Sequence, residues 1–263
     1  MTTTKLDADD LRGVSETLLI PLAYRDDPFA RRFRDAIDYD WHKFADTGVL
    51  RASIAARTAI LDAVVGEFVR AHRGGLVVNM GAGLDTRFHR LDDGAVEWLE
   101  VDLPAVIELR AKLDEPASPR HAMFAGSVLD TGWLDVVRRR SSSAIMFVAE
   151  GLMPYFDEAE HRRIFAALAE SFPGEEIVFQ TNAPSIVRPF AASSDLTKLR
   201  TSAEMRWGLE EGRDVELLDP RVRYVREHSL LELCRDQLPA AMLARAGADE
   251  LRRAAKIVHA RFV

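Results

Sequence analysis

The 263-residue sequence predicts a doubly wound α/β domain, because short apolar runs alternate with helical patterns through the middle of the chain. The run at 144–149 is apolar at every position, which favours a strand in a parallel sheet that is covered on both faces. Similar runs bounded by Gly, Asp, Ser or Pro predict further strands at 76–80, 96–101, 122–124 and 177–181. Two more strands are predicted near the C-terminus, at 221–226 and 255–263.

Helical patterns separate these strands. Residues 54–72 place apolar side chains at helical spacing, and Pro104 suits the first turn of a second helix. Asp157 is a suitable N-cap for a third helix over 157–171. The order strand, helix, strand therefore indicates crossover connections and a parallel sheet.

Two segments lie outside this alternation: 1–52, which shows helical patterns, and the long connection 184–220. Connections of such length usually form a lid or a binding element, and ligands of open α/β sheets bind outside the carboxyl ends of the strands. We expect both segments to cover that edge. The chain is interpreted as one domain, with a helical cap at 1–52, an α/β core at 53–183, a lid at 184–220 and C-terminal strands and a helix at 221–263.

Composition narrows the functional class. The hydrophobic fraction of 48% is too high for a disordered chain, and a net charge of −7 disfavours nucleic-acid binding driven by overall positive charge. The single cysteine, Cys234, lies in an apolar pattern and is interpreted as a small buried residue. The N-terminus shows no signal-peptide pattern. No apolar run approaches the ~18 residues that a membrane span needs. We therefore expect a cytoplasmic location and no membrane partner.

A glycine turn follows the first predicted strand. The strand enters Gly81-Ala82-Gly83, and Asp102 ends the next strand 19 residues after Gly83. Glycines permit a close backbone approach to a ligand, and an acid at this position can accept hydrogen bonds from ribose hydroxyls. Asp102 could instead cap the helix at Pro104. The glycine turn and the spaced acid together favour a ligand that contains a nucleoside. The full dinucleotide fingerprint is not present, because Thr86 stands where it needs a third glycine. The pattern alone does not separate NAD from S-adenosylmethionine.

Polar residues also follow the third and fourth predicted strands. Ser127 and Asp130 come after the third, where an acid could receive the amino group of adenine or simply cap a helix. Glu150 follows the fourth strand directly and would face the ligand edge. A carboxylate beside so apolar a strand needs a partner, which favours a binding role over packing.

Several of these motifs together resemble the leucine carboxyl methyltransferase superfamily, in its bacterial tetracenomycin polyketide O-methyltransferase-like branch. The resemblance covers about residues 15–182, and the glycine turn followed by Leu84-Asp85-Thr86-Arg87 is its most specific part. Further matching motifs are Thr17–Arg25, written TLLIPLAYR, Arg57-Thr58, Glu100-Val101-Asp102-Leu103-Pro104 and Glu150-Gly151-Leu152. The resemblance implies a Rossmann-like, mostly parallel seven-stranded sheet, S-adenosyl-L-methionine as methyl donor and S-adenosyl-L-homocysteine as product.

The resemblance also implies a donor site. Gly81 and Gly83 would approach the methionyl and ribose parts, and Asp102, next to Leu103, would hold the ribose hydroxyls. Glu150 would lie near the ammonium group of the donor. The guanidinium of Arg57 would pair with its carboxylate, for which a two-pronged donor is well suited. Adenine would be surrounded by Ser127, Val128, Leu129 and Asp130.

For the acceptor, we expect a small or polyketide-like molecule with a carboxylate or a phenol. A carboxylate is ionised at neutral pH and needs no general base, whereas a phenol would need one. The sequence identifies no such base, no metal site and no oligomeric state. The expected substrate-binding residues are Tyr24, Arg25, Tyr155, Arg188, Arg206 and Trp207. A module that binds the nucleoside without turnover and an NAD-dependent oxidoreductase are the alternatives.

Overall fold

The computed structural model describes residues 5–7, 16–44, 48–114, 118–140, 143–190, 204–245 and 247–263, with the side chains of 188–190 and 245 excluded. The strands in this part of the chain are β1 (Leu76–Met80), β2 (Glu97–Asp102), β3 (His121–Ala125), β4 (Ile145–Ala149), β5 (Glu176–Asn182), β6 (Val222–Ser229) and β7 (Ala255–Phe262). The helices are α1 (Leu19–Tyr24), α2 (Pro28–Ala36), α3 (Val49–Ala71), α4 (Arg87–Leu91), α5 (Pro104–Leu113), α6 (Gly132–Arg139), α7 (Glu158–Ser171), α8 (Pro184–Phe190), α9 (Leu230–Leu233), α10 (Ala240–Arg245) and α11 (Ala248–Ala254).

All seven strands belong to one sheet in the order β3-β2-β1-β4-β5-β7-β6. The first five strands are mutually parallel, and β7 runs antiparallel between β5 and β6. This confirms the predicted mostly parallel α/β sheet. From β1, strands β2 and β3 are added on one side of the sheet, whereas β4 and β5 are added on the other. Ligands of open α/β sheets bind at such a switch point between neighbouring strands.

Apolar side chains cover both faces of the sheet. Within β1, Val78 packs on one face with Phe147 and Phe165, while Val77 packs on the opposite face with Val65 of α3. Successive strand residues point to opposite faces, which explains why the apolar runs in the sequence are continuous.

Element boundaries follow local signals in most places. Asp157 forms a capping box with Glu160 at the start of α7, and α5 begins at Pro104, both as predicted. Strand β6 extends to Ser229, three residues beyond the predicted end, because its polar end pairs with β7 across an irregularity at Tyr224/Arg226. Cys234 is buried, as interpreted from the sequence.

The predicted cap and lid are described in part. Residues 1–4, 8–15 and 45–47 of the cap and 191–203 of the lid lie outside the described residues. The described lid approaches the sheet closely at Lys256, whose buried ammonium donates to the carbonyl oxygens of Leu209 at 3.1 Å and Glu210 at 2.5 Å. Among the described helices, none is both long and apolar enough to cross a membrane.

Candidate functional site

A cavity of about 680 Å³ opens at the carboxyl ends of β1, β2, β4 and β5. Its floor contains the glycine turn after β1 and the residues that end β2 and β4. One wall comes from the N-terminal cap and α3, and another comes from the C-terminal part of the chain. The predicted site residues that line it are Tyr24, Arg25, Arg57, Gly81, Gly83, Asp102, Leu103, Glu150 and Tyr155.

The glycine turn brings backbone to the floor of the cavity. Gly81 and Gly83 have φ angles of 65° and 50°, a region that side chains with a Cβ rarely adopt. A Cβ on Gly81 would lie 2.8 Å from a methyl carbon of Leu152, so a side chain there would have to displace Leu152. The turn is thus shaped for a ligand that approaches the main chain.

Asp102 lies at the end of β2, and its carboxylate faces this turn. One oxygen accepts the Gly83 amide hydrogen at 2.7 Å and the other accepts the Leu103 amide hydrogen at 2.7 Å. Burial raises the pKa of the Asp102 carboxyl, and these two amides oppose that rise. Its side chain does not cap α5, so the capping interpretation is not supported. Each carboxylate oxygen can accept a further hydrogen bond, as ribose hydroxyls require.

Glu150 lies at the end of β4 among three arginines. Its Oε1 is 2.5 Å from Nη2 of Arg25 and 2.9 Å from Nε of Arg57, and its Oε2 is 2.5 Å from Nη2 of Arg87. Burial alone would raise the pKa of Glu150, but the three guanidinium groups lower it to about 2. The carboxylate is therefore ionised at neutral pH.

Asp85 and Arg87 fix the glycine turn to its surroundings. The Arg87 side chain is fully buried and contacts Asp85 at 2.5 Å and Asp62 of α3 at 2.8 Å, in addition to Glu150. Burial would raise the pKa of Asp85, but Arg87, Arg25 and other nearby arginines lower it well below its ordinary value. These contacts join α3, the turn after β1 and the end of β4 in one charged network.

Arg57 reaches the cavity from α3. Its Nη1 donates to Oε1 of Gln180 at 2.8 Å, while its contact with Glu150 is an ion pair without hydrogen-bond alignment. Burial lowers the pKa of Arg57, and the charge of Glu150 opposes this effect. A guanidinium so placed, with only 11% of its side chain exposed, can receive a carboxylate from the cavity.

The four residues predicted around adenine do not line the cavity in this structure. They form a turn after β3, in which the Ser127 hydroxyl accepts the Leu129 amide hydrogen at 3.1 Å and the Asp130 amide donates to the Ser127 carbonyl at 3.1 Å. Val128 is buried and Asp130 is exposed. The turn lies close to the end of β2, because the amide of Gly126 donates to the carbonyl oxygen of Asp102 at 2.8 Å. Leu103, which follows Asp102, lines the cavity.

Arg206 and Trp207, which the sequence analysis placed in the acceptor pocket, lie outside the cavity. Trp207 stacks on the His161 ring at 3.7 Å, and Arg206 pairs with Glu160 at 2.8 Å, so both side chains are drawn to α7. Their neighbour Met205 lines the cavity instead. Arg188 belongs to α8, but its side chain lies outside the described residues.

Other lining residues were not anticipated from the sequence. They include the apolar side chains of Leu18, Ile20, Leu50, Ile54, Ile186, Leu231 and Met242. The described part of the cap offered a signal, because Leu19 and Leu22 on one side of α1 are buried while Ile20 and Pro21 reach the cavity. For Leu231 and Met242, no local pattern indicates that the C-terminal helices fold back to this edge.

One cluster away from the cavity bears on the expected absence of a metal site. His89, Asp114 and His121 each bring one possible ligand atom within 4.8 Å of the others. Asp114, however, already contacts His89 at 2.8 Å and lies 3.5 Å from Arg110, which also binds Glu100 at 2.7 Å. The three side chains therefore belong to a network of ion pairs with Arg110 and Glu100. We assign no metal to this cluster.

The chain is similar to characterised sequences. A profile of the leucine carboxyl methyltransferase family matches residues 16–169. The tetracenomycin polyketide synthesis O-methyltransferase TcmP of Streptomyces glaucescens is 32% identical over 234 residues, which cover 84% of this chain and 85% of that protein. A proposed S-adenosyl-L-methionine-dependent methyltransferase of Mycobacterium marinum is 26% identical over 224 residues, which cover 71% and 70% of the two chains.

Solved structures share the fold. A proposed methyltransferase from Thermobifida fusca has a TM-score of 0.59 at 16% identity and covers 93% of this chain and 94% of its own. A DUF574 family protein from Streptomyces avermitilis has a TM-score of 0.58 at 15% identity and covers 97% and 100%. At such identities the likeness concerns the fold alone.

The sequence matches carry the functional assignment. The family profile spans the glycine turn, Asp102 and Glu150, and it covers more than half of the chain. The match to TcmP confirms the predicted branch and supports S-adenosylmethionine-dependent O-methyl transfer over an NAD-dependent oxidoreductase. The chain belongs to the leucine carboxyl methyltransferase family.

Proposed function

We propose that this methyltransferase esterifies the carboxylate of a small, largely apolar, polyketide-like acid. The observation that carries the proposal is that none of the described residues lining the cavity is a histidine, the commonest general base. The lining carboxylates of Asp85 and Glu150 are held by arginines, and Asp102 accepts two backbone hydrogen bonds. A carboxylate acceptor needs no base, because it is already ionised at neutral pH.

Tyr155 fits the same conclusion. Burial raises the pKa of Tyr155, which therefore stays protonated at neutral pH and can donate a hydrogen bond. Lys43 also lines the cavity, 3.8 Å from Glu16, whose carboxylate balances part of its positive charge. These groups favour binding of an anion more than removal of a proton from a phenol.

The donor-site residues fit S-adenosylmethionine, whose sulfonium supplies an activated methyl group. We assign the ribose hydroxyls to Asp102 and the methionyl carboxylate to Arg57. Glu150 would lie near the ammonium group and orient Arg57. Gly81 and Gly83 leave room for the donor beside the main chain. The turn at Ser127, Val128, Leu129 and Asp130 is proposed to border the adenine.

The acceptor is proposed to bind between the cap and the C-terminal wall. Tyr24 and Ile20 line the cavity from the cap, and Met205 and Met242 line it from the C-terminal part of the chain. Such walls suit a planar apolar body with one charged end. The protein then aligns the acceptor oxygen with the sulfonium methyl and excludes water, and orientation alone can remove up to ~7–11 kcal/mol of the barrier.

A label-transfer experiment tests the acceptor class. The protein is incubated with methyl-labelled S-adenosylmethionine and matched aromatic compounds that carry a carboxyl group, a phenol or both. A methyl ester releases labelled methanol in mild base, whereas a methyl ether does not. We expect base-labile label only from the compounds with a carboxyl group. Base-stable label on a phenol would contradict the carboxylate assignment while leaving methyl transfer itself intact.

A further inference from the structure

One side chain ties the cap to the floor of the cavity. Here the cap denotes the described residues 16–44. Arg25, which follows α1, places Nη1 2.9 Å from Asp85 and Nη2 2.5 Å from Glu150, and only 4% of its side chain is exposed. A single guanidinium therefore connects the cap to the turn after β1 and to the end of β4.

The oxygen that Arg25 contacts is shared with the proposed donor site. Oε1 of Glu150 is 2.5 Å from Arg25 and 2.9 Å from Arg57. The proposed donor site also places the donor ammonium beside Glu150, so this carboxylate must be oriented for the ammonium while it holds Arg57. Arg25 fixes that orientation when the cap is docked. A docked cap should therefore favour donor binding, and donor binding should in turn stabilise the docked cap.

Other contacts place the cap where this change would be felt by the acceptor. Tyr155, which lines the cavity, shares a side-chain hydrogen bond with Thr17 of the cap. Thr86, next to the glycine turn, donates to Asp27 of the cap at 2.9 Å. These contacts are formed in the described structure, so undocking of the cap would remove one wall of the acceptor cavity.

We propose that Arg25 is a positioning residue that couples occupation of the donor site to docking of the cap over the acceptor. The inference rests on the proposed donor site. Because coupling between two binding events is reciprocal, a docked cap must tighten donor binding by the same factor that the donor strengthens docking. Couplings of this kind commonly amount to about 5–150-fold.

Hydrogen exchange of the full chain, with and without saturating S-adenosylhomocysteine, tests the coupling. In the wild type, amides of residues 16–25 should exchange at least about fivefold more slowly when the ligand is present. Arg25→Lys should lose this difference and bind S-adenosylhomocysteine more weakly, because one ammonium cannot bridge both carboxylates as the guanidinium does. It should also show a raised KM for the aromatic carboxylic acid that accepts label in the transfer assay. Arg31→Lys is the matched control, since Arg31 is 48% exposed and pairs with Asp26 within the cap.

The possible results separate the two claims. Protection at the glycine turn, 81–85, without any change in 16–25 of the wild type would overturn the coupling and leave the donor site standing; this comparison holds even if Arg25→Lys does not fold. A folded Arg25→Lys protein that keeps the donor-dependent protection and a normal acceptor KM would remove Arg25 from the role. No protection at either segment of the wild type would overturn both the donor site and the coupling.

Discussion

Arg87 and Glu150 form a buried ion pair in which Nη2 lies 2.5 Å from Oε2. The pair joins the first residue of α4 to the residue after β4, which are 63 positions apart in the chain. It thereby fixes the distance between the glycine turn and the end of β4, the two sides of the proposed methionyl site. Burial alone would lower the pKa of Arg87, but Asp85, Glu150 and Asp62 raise it above its ordinary value, so the pair stays charged.

Replacing Arg87 by methionine should therefore lower the free energy of unfolding by about 3–5 kcal/mol, because it leaves buried carboxylates unpaired. The matched control is Arg138→Met, since Arg138 pairs with Asp135 at 2.5 Å on the surface with 48% and 61% of the two side chains exposed. Such surface pairs contribute about 0–1 kcal/mol. Urea unfolding measures the free energy of unfolding of both variants. Equal losses of stability in the two variants would contradict the role given to the buried network.

Asp102→Ala should weaken binding of S-adenosylhomocysteine by ~1–3 kcal/mol, because the ribose hydroxyls lose their acceptor. Isothermal titration calorimetry measures the change. Asp135→Ala serves as a control, since Asp135 is exposed and lies on α6 outside the cavity. Unchanged affinity in a folded Asp102→Ala protein would exclude this residue from the donor site.

Gly81→Ala should weaken donor binding and destabilise the protein, because an L-residue is strained at a φ of 65° and the new Cβ, 2.8 Å from a Leu152 methyl, would displace that side chain at the floor of the cavity. Gly94→Ala separates the two causes, since Gly94 has a φ of 80° but no atom within 4 Å of the added Cβ. The left-handed backbone alone costs about 1–2 kcal/mol. Denaturant unfolding and donor titration should show that Gly94→Ala retains donor affinity and that Gly81→Ala does not. Equal donor affinity in both would contradict the close approach at Gly81.

His161 should make stability depend on pH. Burial lowers its pKa from 6.5 to about 4, although nearby carbonyl and carboxylate oxygens oppose this effect. As the pH falls, the unfolded chain takes up the proton before the folded protein does. The contribution of His161 to the free energy of unfolding is therefore fully present above pH 6.5 and is lost as the pH falls toward 4, by up to ~3 kcal/mol. In His161→Gln, the free energy of unfolding should change less between pH 6.5 and 4.5 than it does in the wild type. The control variant His42→Gln, at an exposed position, should keep the wild-type change. An unchanged slope in His161→Gln would contradict the assignment.

The parts of this structure that the sequence predicts are those set by local patterns. Continuous apolar runs such as the one at 144–149 identify strands that are covered on both faces. The glycine turn and Asp102 are likewise recognisable, because backbone conformation and strand ends leave a signature at fixed spacing.

The remaining parts depend on contacts between distant segments. Trp207 resembles a pocket wall in sequence, but it stacks on His161 of α7. Arg25 was expected to meet the acceptor, and the structure shows its charge held by Asp85 and Glu150. Which arginine meets which carboxylate follows from tertiary packing, and a single sequence does not encode those pairings locally.

The most direct test of the account is a crystal structure of the protein with S-adenosylhomocysteine. We expect the ligand in the cavity at the carboxyl ends of β1, β2 and β4, with its ribose hydroxyls on the carboxylate of Asp102 and its methionyl carboxylate on the guanidinium of Arg57. Ligand density at another place on the sheet, or in this cavity with the ribose away from Asp102 and the carboxylate away from Arg57, would contradict the donor site on which the proposed reaction depends.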